Sequence, residues 1–231
     1  MSADTRLVLF DIDGTLLSAG PVSRAALVDA LTEVYGVTGP VDEYDFSGKT
    51  DPQIVRELME SAGLAADAWQ RGFERCLDIY CGHLTSRLRP HHVRAKPGVA
   101  ALVQALAADT RVTLGLLTGN IEACARVKLA PLELNGFFPF GAYGSDHADR
   151  HRLPAVAVER ALAATGEAFA GKRIVVVGDS IHDVRCGRGL GVRAVAVATG
   201  LTPSQTLAAE DPDALLDDFS DTNAAVAAIL G

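Results

Sequence analysis

The sequence predicts an α/β fold in which a doubly wound, Rossmann-like parallel sheet carries an inserted all-α cap domain. Two observations lead to this prediction. Short apolar segments typical of strands alternate with helical patterns over most of the chain, as in parallel sheets covered by helices. The alternation is interrupted after the first strand, where a long stretch shows helical spacing and no convincing strand.

The expected strands are apolar runs bounded by turn residues. Several are apolar at almost every position, which is typical of strands buried on both faces. The runs are 6–10, 112–117, roughly 138–143, 173–177 and 193–198. Ligands bind at the carboxyl ends of such strands, so the residues that follow these runs are the candidates for a site. We expect the acidic stretch 215–221 to be a solvated loop.

Helical spacing fills the remaining sequence and sets the expected domain boundaries. Core helices are expected at 97–108, 121–132, 154–164, 184–189 and 223–230, and cap helices at 23–35, 52–62 and 66–84. We therefore expect residues 1–17 and 92–231 to form the α/β core and residues 18–91 to form the helical cap. Turn-forming residues at 18–21 and 89–98 are the expected hinges.

Composition and charge argue against several classes of protein. The chain has 231 residues, 48% hydrophobic and 22% charged, as in ordinary globular proteins. The formal net charge is −8 and no block of lysine or arginine stands out, so we expect no nucleic-acid partner. No apolar run approaches the roughly 20 residues of a membrane span, and no secretory signal is evident. We expect a cytoplasmic protein without a membrane partner, either a monomer or a homodimer.

Two aspartates follow the first predicted strand, in the segment DIDGT. Residues two apart in a strand point to the same side, so Asp11 and Asp13 are expected to converge. Close carboxylates repel each other, and a bound Mg²⁺, which prefers oxygen ligands, would compensate. An acidic turn is the alternative interpretation, because Asp and Gly are common in turns.

A second acidic cluster, GDSIHD at 178–183, follows the buried-looking strand at 173–177. Asp179 stands at the strand end and Asp183 four residues later. Because the carboxyl ends of parallel strands face one crevice, both clusters are expected to meet there. This coincidence favours a site over simple turn chemistry.

The third segment is Thr118-Gly119-Asn120, at the end of the strand 112–117 and before a predicted helix. A hydroxyl and free N–H groups at a helix N-terminus form an anion site. A plain N-cap is the alternative, and the two interpretations are compatible.

Together, in this order, the three segments resemble the signature of the haloacid dehalogenase superfamily of phosphohydrolases, and the helical cap resembles that of its phosphoglycolate phosphatase-like members. AKPGV at 95–99 and ATG at 198–200 extend the resemblance. It implies that Asp11 is a nucleophile forming an aspartyl-phosphate and that Asp13 is the general acid and base. The implied substrate is a small phosphorylated metabolite.

The resemblance also implies a cofactor and its ligands. Mg²⁺ would be bound by the side chains of Asp11 and Asp179 and by the backbone carbonyl of Asp13, while Asp183 would support the site from behind these ligands. Phosphate oxygens would be bound by Thr118 and by nearby backbone N–H groups, which implicates Gly119 and Asn120.

The sequence departs from the family pattern at its basic motif. The family usually places a lysine before the helix that precedes the acidic motif, but no lysine lies between Lys128 and Lys172. Arg150 is the first candidate to replace it, as a phosphate-binding residue, and Arg152 is the second. Lys128 ranks third, because eight residues of helix after Asn120 would carry it roughly 12 Å along an axis leading away from the site.

A cap lysine, Lys49 in FSGKTDP, is a candidate substrate contact, because related capped phosphatases carry similar segments facing the substrate. The alternative is an ordinary helix start, with Thr50 or Asp51 as N-cap and Pro52 at the first helical position.

Three functions are compatible with these residues. The first is hydrolysis of a small phosphomonoester. The second is a phosphomutase of the same superfamily, which would share Asp11 and Asp13 but retain its intermediate. The third, a non-catalytic binding module on this fold, is disfavoured because all four aspartates are present.

Overall fold

A computed structural model describes residues 5–231, so the first four residues of the predicted core lie outside the described residues. The strands are β1 (Arg6–Phe10), β2 (Leu17–Ser18), β3 (Arg94–Ala95), β4 (Val112–Leu117), β5 (Gly141–Ala142), β6 (Ile174–Gly178), β7 (Arg193–Val197) and β8 (Ala214–Leu216). The α-helices are α1 (Pro21–Tyr35), α2 (Asp51–Ser61), α3 (Ala66–Arg87), α4 (Val99–Ala108), α5 (Glu122–Leu129), α6 (Leu153–Thr165), α7 (Ile181–Cys186), α8 (Ser204–Ala208) and α9 (Thr222–Leu230). Short 3₁₀ turns lie at Pro90–His92, Ala130–Leu132, Leu134–Phe137, Arg150–Arg152, Gly171–Arg173 and Arg188–Leu190.

The core is a six-stranded sheet in the order β5-β4-β1-β6-β7-β8, with every neighbouring pair parallel. The central strand β1 pairs with β4 on one side and β6 on the other. The carboxyl ends of these three strands therefore meet at one edge, where ligands bind in doubly wound folds. The predicted fold class is confirmed.

Alternate residues of the central strand enter different hydrophobic layers. Val8 and Phe10 belong to the larger cluster, which also takes buried residues of α4 and α9. Leu7 and Leu9 belong to a second cluster on the opposite face, which includes buried residues of α6. A strand with both faces covered explains why β1 is apolar at nearly every position.

The segment between β1 and β4 supplies the helical insert. Its helices α1, α2 and α3 are bracketed by β2 and β3, which pair antiparallel where the insert leaves and rejoins the sheet. Buried residues of the insert and of the core form one continuous hydrophobic cluster, and α3 packs against α5. The domain boundaries at residues 17 and 92 stay a prediction.

Two details of the sheet differ from the expectation. The predicted strand 138–143 pairs only at Gly141–Ala142, because Phe138 and Phe140 are apolar for packing, each buried in a different cluster. The expectation of a solvated loop at 215–221 was wrong. Residues 214–216 form the edge strand β8, and Phe219 is fully buried against Phe10, with ring centroids 6.5 Å apart.

No helix within residues 5–231 is long and apolar enough to cross a bilayer.

Gly98 is the N-cap residue of α4 and packs against the segment that precedes α9. We predict that Gly98→Ala destabilises the fold. Its φ is +78°, and a Cβ there would overlap the backbone of Phe219 and Ser220. Left-handed strain plus this overlap should lower the free energy of unfolding by about 3 kcal/mol or more, measured by urea denaturation.

Gly63→Ala is the matched control. Gly63 has a similar φ of +82° but open space where the Cβ would lie, so only the backbone strain of about 1–2 kcal/mol applies. Equal losses in the two variants would contradict the predicted overlap at Gly98.

Candidate active site

Asp11 is the first residue beyond β1 and is almost completely buried. Its backbone N–H donates to Val177 O at 3.0 Å, which continues the β1–β6 ladder and fixes the side chain at the edge of the sheet. Burial raises the pKa of Asp11 to about 7, the charges of Asp183 and Asp13 add to this rise, and the Arg150 guanidinium opposes it.

Three buried carboxylates converge beside β1 and β6. Asp11, Asp179 and Asp183 each offer an oxygen, and these oxygens all lie within 4.8 Å of one another. Thr15 donates its hydroxyl to Asp179 Oδ1 at 2.8 Å. The pKa of Asp179 is raised to about 8. Burial is the largest cause, and the neighbouring charges of Asp11 and Asp183 add to it. Ionised together, these groups repel each other strongly.

This arrangement fits a magnesium ion. All the donors are oxygens, which Mg²⁺ prefers, and a divalent cation would offset the repulsion between the carboxylates. Space around Asp179 is kept by glycines, since a Cβ at Gly14 or at Gly200 would overlap its carboxylate. Side chains at these two positions would thus displace the carboxylate of Asp179, one of the proposed ligands.

Arg150 is buried among these carboxylates and lies in the 3₁₀ turn before α6. Its Nη2 donates to Asp11 Oδ1 at 3.0 Å and to Asp183 Oδ1. Two carbonyls also accept from the guanidinium, Leu117 O at 3.3 Å and Gly48 O at 3.2 Å. Its buried Nε has no hydrogen-bond partner among residues 5–231. Burial opposes the charge of Arg150, but Asp183 and Asp11 outweigh it and raise the arginine pKa.

Asp183 holds the guanidinium in place from the start of α7. Ser180 donates to Asp183 Oδ2 from its hydroxyl at 2.6 Å and from its backbone N–H at 3.0 Å, while the Ser180 hydroxyl accepts from Asp183 N–H at 3.3 Å. This reciprocal capping fixes the aspartate. Both of its oxygens therefore have partners, one of them Arg150.

Asp13 lies on the open side of the same edge, with 41% of its side chain exposed. Its Oδ2 accepts from Asn120 Nδ2 at 2.7 Å and from Lys128 Nζ at 2.6 Å. Lys128 also donates to Asn120 Oδ1 at 2.5 Å. Asp13 thus faces solvent within the crevice, while a lysine and an amide fix one of its oxygens.

The expectation that Lys128 lies away from the site was wrong. Helix α5 begins only at Glu122, so Lys128 is two turns into it, and helical side chains tilt toward the N-terminus. The long side chain therefore reaches back to Asp13. Arg152, in contrast, is exposed and does not line the cavity.

The segment Thr118-Gly119-Asn120 bends between β4 and α5. Thr118 N–H donates to Ala142 O at 3.0 Å, which extends the β4–β5 ladder. The Thr118 hydroxyl accepts from the side-chain amide of Asn120 at 2.9 Å and from its backbone N–H at 3.3 Å. The N-cap of α5 is Ile121, so this turn precedes the helix and belongs to the crevice.

The crevice is a cavity of about 440 Å³ between the core and the insert. Asp11, Asp13 and Asp179 line it from the core, and Lys49 lines it from the insert. The Lys49 ammonium lies 2.8 Å from Glu57 Oε2 and 4.0 Å from the centroid of the Tyr44 ring. The structure thus places Lys49 in the same cavity as the predicted catalytic residues.

Among the cavity side chains that were assigned no role from the sequence, three take part in polar contacts around the site. Thr199 donates its hydroxyl to Gly14 O at 2.6 Å, and Lys96 donates to Thr199 O at 2.6 Å. These bonds tie the turn after Asp13 to the end of β7. The third is Asp51, a buried acid of the insert. ATG and AKPGV signalled the first two as part of the resemblance, whereas Asp51 gave only a helix-start signal.

The sequence and fold are similar to those of known hydrolases. A phosphoglycolate phosphatase from Synechococcus elongatus is 29% identical over 96% of this chain and 98% of its own length. One from Agrobacterium fabrum is 29% identical over 93% of this chain and 89% of its own. The crystal structure of a hydrolase from Pseudomonas syringae has a TM-score of 0.72 at 19% identity, covering 96% of this chain and 98% of that one, and shows the shared fold.

The family itself follows from a match over most of the chain. The sequence model of haloacid dehalogenase-like hydrolases matches residues 8–197, which contain DIDGT, TGN and GDSIHD. This match confirms the resemblance inferred from those segments and the prediction of a hydrolytic enzyme. The chain belongs to the haloacid dehalogenase-like hydrolase family.

Proposed function

We propose that this protein is a magnesium-dependent phosphatase that hydrolyses a small phosphomonoester through an aspartyl-phosphate on Asp11. The observation that carries the proposal is the position of Asp11. Its carboxylate is buried, with one oxygen bonded to Arg150, and it lies next to the carboxylates of Asp179 and Asp183. The exposed aspartate Asp13 lies at the same edge of the sheet. The curated relatives named above are phosphatases, which supports the same reaction class.

Asp11 and Asp13 divide the chemistry. A carboxylate oxygen of Asp11 attacks phosphorus, the bond from phosphorus to the leaving oxygen breaks, and Asp13 donates its proton to that oxygen. Asp13 then takes a proton from a water that attacks the same phosphorus. The bond to Asp11 breaks, phosphate leaves, and both aspartates return to their starting states. The exposure of Asp13 to the cavity gives it access to the leaving group and to water.

Magnesium would be held by the side chains of Asp11 and Asp179 and by the Asp13 carbonyl, with Asp183 supporting Arg150 beside them. When bound, the ion would neutralise charge on the phosphoryl oxygens. The donor set supports this role, because three carboxylates packed together need a cation.

Phosphate oxygens would be bound by Thr118, by N–H groups of Gly119 and Asn120, and by Arg150. The unpartnered, buried Nε of Arg150 supports this role, since it leaves one donor of the guanidinium without an acceptor in the described residues. Lys128 contacts Asp13, so we assign it to the acid–base residue and Arg150 to the nucleophile and phosphate.

The substrate is proposed to be a small phosphorylated metabolite that fits within the 440 Å³ cavity. Phosphoglycolate is the first compound to test, because the two curated relatives are phosphoglycolate phosphatases. Lys49 would contact the part of the substrate away from phosphorus.

The first prediction is magnesium-dependent phosphate release. Purified protein is incubated with p-nitrophenyl phosphate, phosphoglycolate and a panel of sugar phosphates, with Mg²⁺ or with a chelator, and free phosphate is measured. We expect release that stops when the metal is removed, since the carboxylates alone would repel a phosphate dianion.

Other outcomes separate the alternatives. Transfer of phosphate between positions of a sugar, with little release to water, would identify a phosphomutase. Folded, metal-loaded protein that turns over no compound of the panel would contradict the proposed enzyme and favour a binding module.

The second prediction concerns the intermediate. p-Nitrophenolate leaves as an anion without needing a proton, so Asp13→Asn should still form the aspartyl-phosphate from p-nitrophenyl phosphate. The variant should hydrolyse this intermediate slowly, because no base activates the water. We expect a burst of one p-nitrophenol per enzyme and a protein whose mass increases by one phosphoryl group.

Asp11→Asn is the control for this experiment. It should show no burst, no added mass and a loss of turnover of at least about 10³-fold, with the fold intact. Retained turnover in Asp11→Asn would rule out Asp11 as the nucleophile.

The third prediction links pH, metal and stability. Because burial raises the pKa of Asp179 to about 8 from 3.8, the folded metal-free protein keeps a proton that the unfolded chain releases. The unfolding free energy should be greatest below pH 4 for this group and fall as pH rises toward 8. Mg²⁺ should restore stability, most strongly near pH 8, as measured by urea denaturation with chelator or metal.

Asp179→Asn tests the cause. This variant should have a flatter pH dependence in chelator and a weaker response to Mg²⁺. A wild-type stability that ignores Mg²⁺ at pH 8 would argue against metal binding at these carboxylates.

A further inference from the structure

Asp51 is a buried acid of the helical insert that the mechanism above does not use. It is the first residue of α2 and only 7% exposed. Its N–H donates to Gly119 O at 2.7 Å, and its Oδ2 accepts from Ile121 N–H at 2.8 Å. A single N–H donor does not offset the desolvation free energy of a buried carboxylate, so a compensating charge is expected nearby.

That charge is supplied by Lys128. Burial lowers the pKa of Lys128, but the charges of Asp13 and Asp51 outweigh burial and raise it overall. Burial likewise raises the pKa of Asp51 to about 6, with Lys128 as the largest opposing influence. The charge of Lys128 therefore acts on two carboxylates. It bonds to Asp13 of the core and acts at longer range on Asp51 of the insert.

The insert is seated on the core by the same short segment. Thr50 donates its hydroxyl to Ala148 O at 2.7 Å, and Arg150 Nη1 donates to Gly48 O at 3.2 Å. The approach is so close that a Cβ at Gly119 would overlap the backbone carbonyl of Lys49. Asp51 adds a negative charge to this contact. It bonds to Ile121, the N-cap residue of the helix that carries Lys128, and it lines the same cavity as that lysine.

We propose that Asp51 is a positioning residue that couples the seating of the insert to the orientation of Lys128 and, through Lys128, of Asp13. With the insert seated, the Lys128 ammonium bonds to Asp13 and also feels the charge of Asp51, which lines the same cavity. Without the charge of Asp51, the position of the Lys128 ammonium is set by Asp13 alone. The orientation of Asp13 toward the leaving group then changes. This inference rests on the proposed function, in which Asp13 is the acid and base.

Asp51→Asn removes the charge but keeps the size and an acceptor oxygen for Ile121 N–H. We expect kcat to fall about tenfold, within the range for coupled neighbours, with a smaller change in KM. Thr50→Val is the matched control, because it removes the bond to Ala148 O at the same contact without changing charge. It should lower kcat by less than about threefold. A kcat for Asp51→Asn equal to wild type would overturn the proposal.

A double-mutant cycle tests whether Asp51 acts through Lys128. In a Lys128→Met background, or Lys128→Gln if that variant does not fold, Asp51→Asn should lower kcat little further. The same four proteins should show non-additive losses of stability in urea. An Asp51→Asn effect of full size in the Lys128 variant would overturn the proposed coupling.

The unfolding measurements keep this inference separable from the proposed function. If wild type releases no phosphate under any condition, the phosphatase proposal fails, while non-additive unfolding energies still support the Asp51–Lys128 pairing. Additive unfolding energies overturn the pairing whether or not the protein is active.

Discussion

The repulsion between carboxylates at one edge of the sheet is the constraint on which the site depends. Asp11, Asp179 and Asp183 are buried within a few ångströms of one another, where their charges interact strongly. Arg150 neutralises part of this negative charge by bonding to Asp11 and Asp183. A buried ion pair of this kind does not guarantee stability, because desolvation offsets attraction. It does fix geometry, and the proposed metal ion would complete the balance of charge.

Two cations serve two aspartates in different surroundings. Arg150 is buried and bonds to the buried Asp11, while Lys128 approaches the half-exposed Asp13. A guanidinium holds a fixed charge and several donors in one plane, which suits an oxygen that must keep its orientation. An ammonium on a flexible stem suits a residue that exchanges protons with substrate and water. The proposed nucleophile, Asp11, and the proposed acid–base residue, Asp13, thus have different kinds of cationic partner.

The strand-end motifs were predictable because they are local. A buried strand followed by an acidic turn places its carboxylates at the sheet edge whatever the rest of the chain does, and the parallel order brings Asp11 and Asp179 together. Lys128 was misplaced because distance along a helix axis ignores the reach and tilt of a side chain. Asp51 was not identified as part of the site because its contacts with the core depend on how the insert docks, which no local pattern encodes. Strand β8 is three residues long and runs into acidic residues, so its pairing with β7 depends on tertiary packing rather than on a strong local pattern.

The continuous hydrophobic cluster that spans core and insert has a thermodynamic consequence for access to the crevice. Any opening that separates α3 from α5 exposes apolar surface to water, and such exposure carries a positive heat capacity change. The equilibrium between seated and open inserts would therefore curve with temperature. Where substrate entry or phosphate release needs that opening, its rate would show the same curved temperature dependence. If opening limits turnover, an Arrhenius plot of turnover would therefore be curved.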